Sequence, residues 1–320
     1  MVSWTDFPAR AGERRTVPVN IAGGGTEIAL WHYQPSGTPR EADYAGPRRG
    51  KRPRLLLIHG FRGDHHGMQL IVDALPEYEI FVPDLPGFGE TVPVSRTDGT
   101  RLTHSVDAFA DVLEALAQEL RLGPDDVVTG HSFGSIVVAA HIARSKRQWA
   151  GAGLIAPISD DIFRGRLLPG AAGVELYYRL CHALPESWAD RALRSRLVLG
   201  VTNLSMIVTN DPGITVFIRE QHGRYFGRYA DRRSLLEAYR ASSRHTVTEY
   251  ASSLDLPVLL LPGSQDQLST LKGRTALRDA VADPLGRGPR MEVIRGSGHL
   301  LHYEKPAQVG RALRRFLQEL

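Results

Sequence analysis

The chain has 320 residues, 42% of them hydrophobic, which is enough apolar sequence for one large core and an inserted subdomain. Its net charge is +4 and its isoelectric point is about 9.3, but all except four of its 39 basic residues are arginine. The basic cluster at residues 48–54 has no interleaved aromatic residues and matches no nucleic-acid-binding module, so we expect no nucleic-acid partner.

The single cysteine, Cys181, cannot form an internal disulfide, which is typical of a reducing compartment. Residues 1–15 mix five charged side chains with few apolar ones, so we expect no signal peptide. The longest apolar runs are too short to cross a membrane. We therefore expect a cytoplasmic protein without a membrane span, and its oligomeric state stays open.

Short apolar runs separated by Gly- and Pro-rich turns predict eight strands. Residues 16–21 and 27–33, joined through three glycines at 23–25, predict an antiparallel hairpin, and the loop at 35–53 is polar. Parallel strands are predicted at six further places: 55–58, 80–83, 126–129, 153–156, 258–261 and 291–294.

Helical patterns lie between these strands. Apolar residues recur at helical spacing over 106–120, a second pattern covers 135–143, and Pro306 opens a last helix that runs to Leu320. The regular alternation predicts an α/β fold with a mostly parallel eight-stranded sheet and helices on both of its faces.

The sequence Gly-His-Ser-Phe-Gly at 130–134 lies where a predicted strand runs directly into a predicted helix. Such a strand-to-helix turn is the setting of a nucleophile elbow, in which strained backbone angles lift a serine hydroxyl clear of the sheet. The two glycines are needed because a side chain at either position would collide with a neighbouring element. Ser132 is therefore the candidate nucleophile, beside a helix N-terminus that favours a developing anion.

An acid and a base follow Ser132 in the order that this architecture uses. Asp266 comes just after the strand at 258–261, and His299 lies in a glycine-flanked loop after the strand at 291–294. Carboxyl ends of parallel strands meet at one edge of a sheet, so the three side chains are predicted to converge. His299 would then take the Ser132 proton while Asp266 holds the imidazole.

These residues together resemble the α/β-hydrolase fold superfamily over most of the chain. The likeness is specific at four places: the strand and His-Gly turn at 55–61, the Asp-Leu-Pro-Gly-Phe-Gly loop at 84–89, the elbow with its acid, and the histidine loop with Glu-Lys-Pro at 304–306. The resemblance implies an oxyanion hole made by the backbone N–H groups of Phe61 and Phe133. Ser132 argues against the family's dehalogenases and epoxide hydrolases, which use Asp at the elbow.

Residues 157–255 contain amphipathic helical stretches and no convincing parallel strand. The resemblance implies that this segment is a helical cap inserted between two parts of the core, 1–156 and 256–320. A cap of this kind would select the substrate by shaping the pocket. We expect most of its aromatic residues to pack its helices together rather than to line a pocket.

Several polar residues have alternative interpretations. Asp160 and Asp161 follow a core strand and are the alternative acid to Asp266. Adjacent His65 and His66 beside Asp64 could suggest a metal site, but neighbouring side chains rarely close a coordination shell, so we expect no metal there. The remaining histidines are interpreted as structural, including those at 59, 104, 131 and 302.

The resemblance and the three candidate residues predict a capped serine hydrolase of carboxylic esters that acts on a small-molecule substrate and needs no cofactor. One alternative is a C–C bond hydrolase of diketone-type substrates, since Arg62 lies next to a predicted oxyanion donor. A second is a small-molecule receptor on the same fold that binds its ligand without turnover. Acyl length and leaving group stay open.

Overall fold

A computed structural model describes residues 8–36, 52–282 and 288–320. Residues 1–7 of the N-terminal segment and 48–51 of the basic cluster lie outside these ranges. The centre of the molecule is a nine-stranded sheet. Its strands are β1 (Glu13–Ile21), β2 (Gly24–Tyr33), β3 (Leu55–Ile58), β4 (Ile80–Pro83), β5 (Ser95–Arg96), β6 (Val127–His131), β7 (Gly151–Ile155), β8 (Val258–Leu261) and β9 (Arg290–Met291).

The sheet is mostly parallel, as the sequence predicts. Its strand order is β1-β2-β4-β3-β6-β7-β8-β9, with β5 paired to β2. The pairs from β4 through β9 are parallel, and only the β1–β2, β2–β4 and β2–β5 pairs are antiparallel. Eight strands correspond to the expected ones, and the two-residue β5 is an addition.

Several predicted boundaries are corrected: β1 begins three residues earlier than predicted, β6 and β7 are shifted by one to two residues, and the largest differences lie at the hairpin turn and at β9. The hairpin turn is at Ala22 and Gly23, both with positive φ (46° and 74°), so Gly24 and Gly25 belong to β2 rather than to the turn. Two consecutive residues with positive φ give the tight turn that matches strand twist. At the opposite edge β9 covers only two residues, although Ile294 still forms an isolated parallel bridge with Gly263.

Both faces of the sheet are covered by helices, which explains the uninterrupted apolar sequence of β3. Leu56 and Ile58 pack into the core on one face, and Leu55 and Leu57 pack into the core on the other. The first core contains α2 (Val106–Glu119) and α3 (Phe133–Arg144), and the second contains α1 (Gln69–Ala74) and α11 (Pro306–Glu319).

The chain between β7 and β8, all of it described, contributes helices and no strand of the sheet, apart from one bridge between Phe88 and Tyr229. Its α-helices are α4 (Leu168–Ala183), α5 (Glu186–Leu193), α6 (Arg196–Met206), α7 (Pro212–Tyr225) and α8 (Arg232–Arg244). Two further helices, α9 (Leu271–Ala280) and α10 (Leu301–Glu304), follow β8 and β9. Among the described residues, no helix has the length and apolar character needed to cross a bilayer.

Candidate active site

Ser132 occupies the turn between β6 and α3. Its φ of 53° and ψ of −119° lie outside the usual regions for a residue with a side chain. The Ser132 N–H donates to the Ile155 carbonyl at 2.9 Å, and the Ser135 hydroxyl donates to the Ser132 carbonyl at 2.5 Å. These bonds hold the strained residue from both sides, and its side chain remains partly accessible.

The glycines on either side of Ser132 make this turn possible. A Cβ on Gly130 would lie 2.2 Å from the Gly134 carbonyl oxygen, and a Cβ on Gly134 would lie 2.4 Å from the Ile58 oxygen. Both contacts are with backbone atoms, which cannot rotate away. The structure thus gives the steric reason for the Gly-x-Ser-x-Gly spacing that singled out Ser132.

His299 and Asp266 complete a continuous hydrogen-bonded line from Ser132. The Ser132 Oγ lies 2.7 Å from His299 Nε2, and His299 Nδ1 lies 3.1 Å from each carboxylate oxygen of Asp266. If Nδ1 carries the proton, it donates to Asp266 while Nε2 accepts the Ser132 hydroxyl proton. His299 is 4% exposed and Asp266 is 9% exposed, so the contact between these two side chains is shielded from bulk water.

The surroundings of Asp266 favour its ionised form. Burial alone would raise the pKa of this carboxyl group, but the His299 ring and the Leu268 N–H, which donates to Oδ1 at 2.8 Å, outweigh burial and lower the pKa below its ordinary value. A carboxylate is therefore maintained where it can orient His299 and stabilise a positive charge on the imidazole.

Asp160, the alternative acid, is used elsewhere. Its carboxylate accepts the Thr270 N–H at 2.8 Å, the Thr270 hydroxyl at 2.7 Å and the Ser159 hydroxyl at 2.9 Å. Thr270 in turn caps the N-terminus of α9. These contacts give Asp160 a role in joining the end of β7 to α9, and the structure places Asp266 against His299.

Both expected oxyanion donors lie close to Ser132. Phe133 is the first residue of α3, so its N–H is one of the groups that have no partner within the helix. Phe61 follows Gly60, and a Cβ on Gly60 would lie only 3.1 Å from the Ser132 Cβ. The start of α3 and the 60–61 turn therefore both adjoin the candidate nucleophile.

His59 and His131 hold these loops in place. The Leu85 N–H donates to His59 Nε2 at 2.9 Å, and His59 Nδ1 lies 2.8 Å from the Gly60 carbonyl. His131 Nε2 lies 3.3 Å from the His299 carbonyl, which ties the elbow to the histidine loop. Burial, reinforced by His299, lowers the pKa of His131 to about 3, so this ring stays neutral and structural.

Arg62 does not remain free beside the oxyanion position. This residue is 6% exposed with a φ of 60°. Its guanidinium donates to the Leu193 carbonyl at 2.8 Å, to the Phe226 carbonyl at 3.3 Å and to the Tyr178 hydroxyl at 3.4 Å, and lies over the Phe226 ring. Its three nitrogens are thus committed to the segment between β7 and β8.

Replacing Arg62 with methionine is expected to lower the free energy of unfolding by about 1–3 kcal/mol, because buried acceptors such as the Leu193 carbonyl lose their partner. Arg62→Lys should recover little of this loss, since one ammonium cannot serve three separated acceptors. Urea unfolding of both variants measures the effect. Parent-like stability of Arg62→Lys would contradict this account.

The three potential metal ligands do come together. Asp64, His65 and His66 each place one ligand atom within 4.8 Å of the others. However, His65 Nδ1 is 3.0 Å from Asp84 and His66 Nδ1 is 3.0 Å from Asp64. The His65 ring stacks on Trp31 and the His66 ring stacks on Tyr225, while the two imidazoles are tilted relative to each other by 38°. Hydrogen bonding and stacking account for the two imidazole rings and favour a structural role for them, whereas the buried Asp64 Oδ2 has no hydrogen-bond partner among the described residues.

Three aromatic residues of the helical segment, Tyr177, Tyr178 and Tyr239, pack against each other as expected, whereas Phe217 and Tyr225 contact rings outside it. Tyr178 and Tyr239 are stacked with their ring centroids 4.0 Å apart, and the Phe61 ring lies 6.2 Å from each. Both tyrosines are almost fully buried. Phe61 therefore joins the turn beside Ser132 to helices α4 and α8.

Two side chains that the sequence did not single out hold the histidine loop. Gln267 and Glu304 accept the backbone N–H groups of His299 and Gly298, at 3.2 and 2.7 Å. In the sequence, Glu304 belongs to the family-like Glu-Lys-Pro motif. Its position five residues after His299 is the feature that could have indicated a contact with the histidine loop. Gln267 has no sequence feature that indicates this contact, although it adjoins Asp266.

Comparison with known proteins adds an independent line of information. A family model described as "Alpha/beta hydrolase family" matches residues 55–312. The chain is 24% identical over 280 residues to monoacylglycerol lipase ABHD6 of Homo sapiens, covering 84% of this chain and 77% of that protein. It is 34% identical to Lipase 3 of Moraxella sp. (strain TA144) over 94 residues, which span 29% of this chain and only 28% of that protein.

The fold also matches solved structures. A thermophilic esterase from Thermogutta terrifontis superposes with a TM-score of 0.69 at 21% sequence identity, covering 95% of this chain and 98% of that one. At this level of identity the likeness concerns the fold. It agrees with the strand order and with the helices on both faces of the sheet.

Proposed function

This chain belongs to the alpha/beta hydrolase family, and from that premise we propose that it is a serine hydrolase cleaving carboxylic esters through an acyl-enzyme. The observation that carries the proposal is the hydrogen-bonded line from Ser132 through His299 to Asp266, with Ser132 on a strained turn and 2.7 Å from the imidazole. A nucleophile, a base and an orienting acid are the groups that acyl transfer requires.

In the first half-reaction the Ser132 Oγ attacks the ester carbonyl carbon while its proton moves to His299 Nε2. The carbonyl oxygen becomes an oxyanion and accepts hydrogen bonds from the N–H groups of Phe61 and Phe133. When the intermediate collapses, the bond to the alcohol oxygen breaks, and His299 returns the proton to this leaving group. Asp266 stays ionised throughout and stabilises the transient imidazolium.

Water then takes the place of the alcohol. His299 accepts a proton from this water as its oxygen attacks the acyl carbon, and the same proton passes to Ser132 Oγ as the acyl bond breaks. The products are the free acid and the restored enzyme. The cycle uses only side chains and backbone N–H groups of the chain, so the proposed reaction requires no cofactor.

We also propose that residues 157–255 form the cap of a core made by 1–156 and 256–320. Support comes from the five helices between β7 and β8 and from the Arg62 contacts that attach them beside the oxyanion turn. Monoacylglycerol lipase is the named activity of one relative, and we infer small-molecule ester substrates for this chain in the same general class. The cap would set the acyl length.

The alternative of a C–C bond hydrolase relied on Arg62 polarising a diketone. Its bonds to Leu193, Phe226 and Tyr178 give the guanidinium another function, so no observation favours that reaction over ester cleavage. A receptor on the same fold would keep the three side chains and bind its ligand without turnover. The measurement of turnover separates these possibilities.

The test is the initial rate of hydrolysis of p-nitrophenyl esters of increasing acyl length by the parent protein, with Ser132→Ala as the matched background. We expect rapid release of p-nitrophenol that disappears in the variant, and an optimum chain length that reports the space beneath the cap. If no ester is cleaved faster than by Ser132→Ala, the esterase proposal fails and the alternatives are tested with diketone substrates and ligand binding.

A further inference from the structure

The loop that carries His299 is fixed by two side chains on its backbone. Gly298 N–H donates to Glu304 Oε2 at 2.7 Å, and His299 N–H donates to Gln267 Oε1 at 3.2 Å. Glu304 is 1% exposed, so its bonds are protected from competition with water. Where the imidazole lies relative to Ser132 therefore depends on where Glu304 and Gln267 lie.

Both side chains also bind the segment 206–209, which runs from the last residue of α6 toward α7. Glu304 Oε1 accepts the Val208 N–H at 2.7 Å and the Thr209 N–H at 3.0 Å. Gln267 Nε2 donates more weakly, at 3.4 Å, to the Met206 carbonyl. Each side chain is thus a bridge from 206–209 to the backbone of the His299 loop, and the carboxylate forms the stronger, charge-assisted one.

Direct packing reinforces these bridges. A Cβ on Gly298 would lie 2.6 Å from Val208 Cγ2, so the segment presses on the peptide immediately before His299. On the next turn of chain, Leu300 and Tyr303 form a buried apolar cluster with Ile214 and Ile218 of α7. A close-packed contact of this kind transmits displacement rather than absorbing it.

We propose that the segment 206–209 of the cap positions His299 through Glu304 and Gln267, so that Ser132 is activated only while the cap is seated on the core. This inference rests on the proposed function, because it assigns His299 the role of the base. It makes Glu304 and Gln267 positioning residues. Placement of the cap then governs the rate of the chemical step as well as the fit of the substrate.

A simpler interpretation is that Glu304 holds the histidine loop in place by itself, and that its position does not depend on its bonds to the cap. The two interpretations differ in what happens when only the cap side of the bridge is weakened. Val208→Pro removes the shorter of the two bonds that the segment makes to Glu304 Oε1, at 2.7 Å against 3.0 Å for the Thr209 N–H, and leaves Glu304, Gln267 and the residues of the histidine loop unchanged. The preceding residue, Ile207, has φ −81° and ψ 123°, the extended conformation that a residue before proline adopts.

We expect Val208→Pro to lower kcat for a short p-nitrophenyl ester by about 10- to 100-fold, as a small misplacement of a base does, with a much smaller change in KM. Gln267→Met, which removes the second bridge at similar size, should lower kcat by a smaller factor because its bonds are longer. Asn210→Ala, an exposed position in the same loop, is the control and should match the parent.

A double-mutant cycle tests whether the effect passes through Glu304. Val208→Pro combined with Glu304→Gln should be scarcely slower than Glu304→Gln alone, since both substitutions weaken the same bridge. Thermal unfolding of every variant identifies those that fold. If Val208→Pro does not fold, the proposal is tested with Gln267→Met instead. A parent-like kcat in Gln267→Met then overturns the proposal.

A second readout does not depend on ester cleavage. We expect the proton between His299 Nδ1 and Asp266 to give a low-field NMR resonance in the parent that is lost in Asp266→Asn. This resonance should shift or broaden in Val208→Pro. If the parent cleaves no ester but the resonance responds, the positioning inference stands and the esterase proposal fails. If the parent is an esterase and a folded Val208→Pro changes neither kcat nor the resonance, the positioning inference is wrong.

Discussion

Replacing Asp266 with asparagine is expected to lower kcat by about 10⁴-fold, with KM nearly unchanged, because the substitution reverses the imidazole tautomer. The Leu268 N–H donates to one carboxylate oxygen at 2.8 Å, and the asparagine oxygen would keep that bond. Its NH₂ group would then face His299 Nδ1. An Nδ1 that accepts a hydrogen bond leaves the proton on Nε2, which can no longer accept the Ser132 proton.

Asp160→Asn is the matched control for this prediction. Asp160 bonds to Thr270 and Ser159, so its replacement should cost about 1–2 kcal/mol of unfolding free energy and leave kcat within a few-fold of the parent. Steady-state kinetics of the two variants on one ester compares them directly. A large loss of kcat in Asp160→Asn together with a parent-like Asp266→Asn would reassign the acid.

Ser132, Asp266 and His299 could be predicted because each depends on local signals. Ser132 lies between two glycines at a strand-to-helix junction. Asp266 and His299 each follow a short apolar run, which is the sequence pattern typical of a buried parallel strand. Once the sheet is parallel, its strand order brings the three loops to one edge. The sequence alone therefore predicts both the side chains and their convergence.

Arg62 and Gln267 could not be predicted in the same way. The bond from Arg62 to the Phe226 carbonyl joins residues 164 positions apart, and that from Gln267 to the Met206 carbonyl joins residues 61 positions apart. Acceptors of this kind are backbone carbonyls, which every residue offers, so no residue type marks them. Only the packing of the helical segment onto the sheet determines which carbonyls Arg62 and Gln267 reach.

The edges of the sheet were also hard to predict, for a different reason. β5 has two residues, which pair with Gly24 and Gly25, and Ser95 also forms an isolated bridge with Arg101, so this strand buries too little apolar surface to leave a pattern. β9 is the edge strand at the far side, and Val293 beyond it is 40% exposed. Periodicity reports burial, and these short edge segments are only partly buried.

Mild acid is expected to destabilise the fold because several buried histidines are neutral in it. Burial lowers the pKa of His131 to about 3 and that of His104, His141 and His222 to about 4. In the unfolded chain these rings titrate near 6.5, so the unfolded state binds more protons below that pH. The contribution of these neutral rings to the free energy of unfolding is fully present above pH 6.5. It is lost progressively as the pH falls toward 4.

His141 isolates one such contribution, because it lies on α3 outside the proposed site. Its Nε2 accepts the Trp149 indole N–H at 3.0 Å, and its buried Nδ1 has no hydrogen-bond partner among the described residues, although Glu114 is 3.8 Å away. The glutamine oxygen of His141→Gln can replace Nε2 as the acceptor without titrating. The variant keeps the contact and removes the proton-binding site of the unfolded state.

We expect urea unfolding at pH 7 and pH 5 to show that the parent loses about 2 kcal/mol more of its free energy of unfolding than His141→Gln. This difference is the contribution expected from one histidine whose pKa is lowered to about 4 in the folded protein. His182→Gln, at an exposed position, should lose as much as the parent. An equal loss in the parent and in His141→Gln would mean that the buried ring is protonated in the folded protein, with Glu114 as its partner. Stability would then depend on that ion pair rather than on a neutral core.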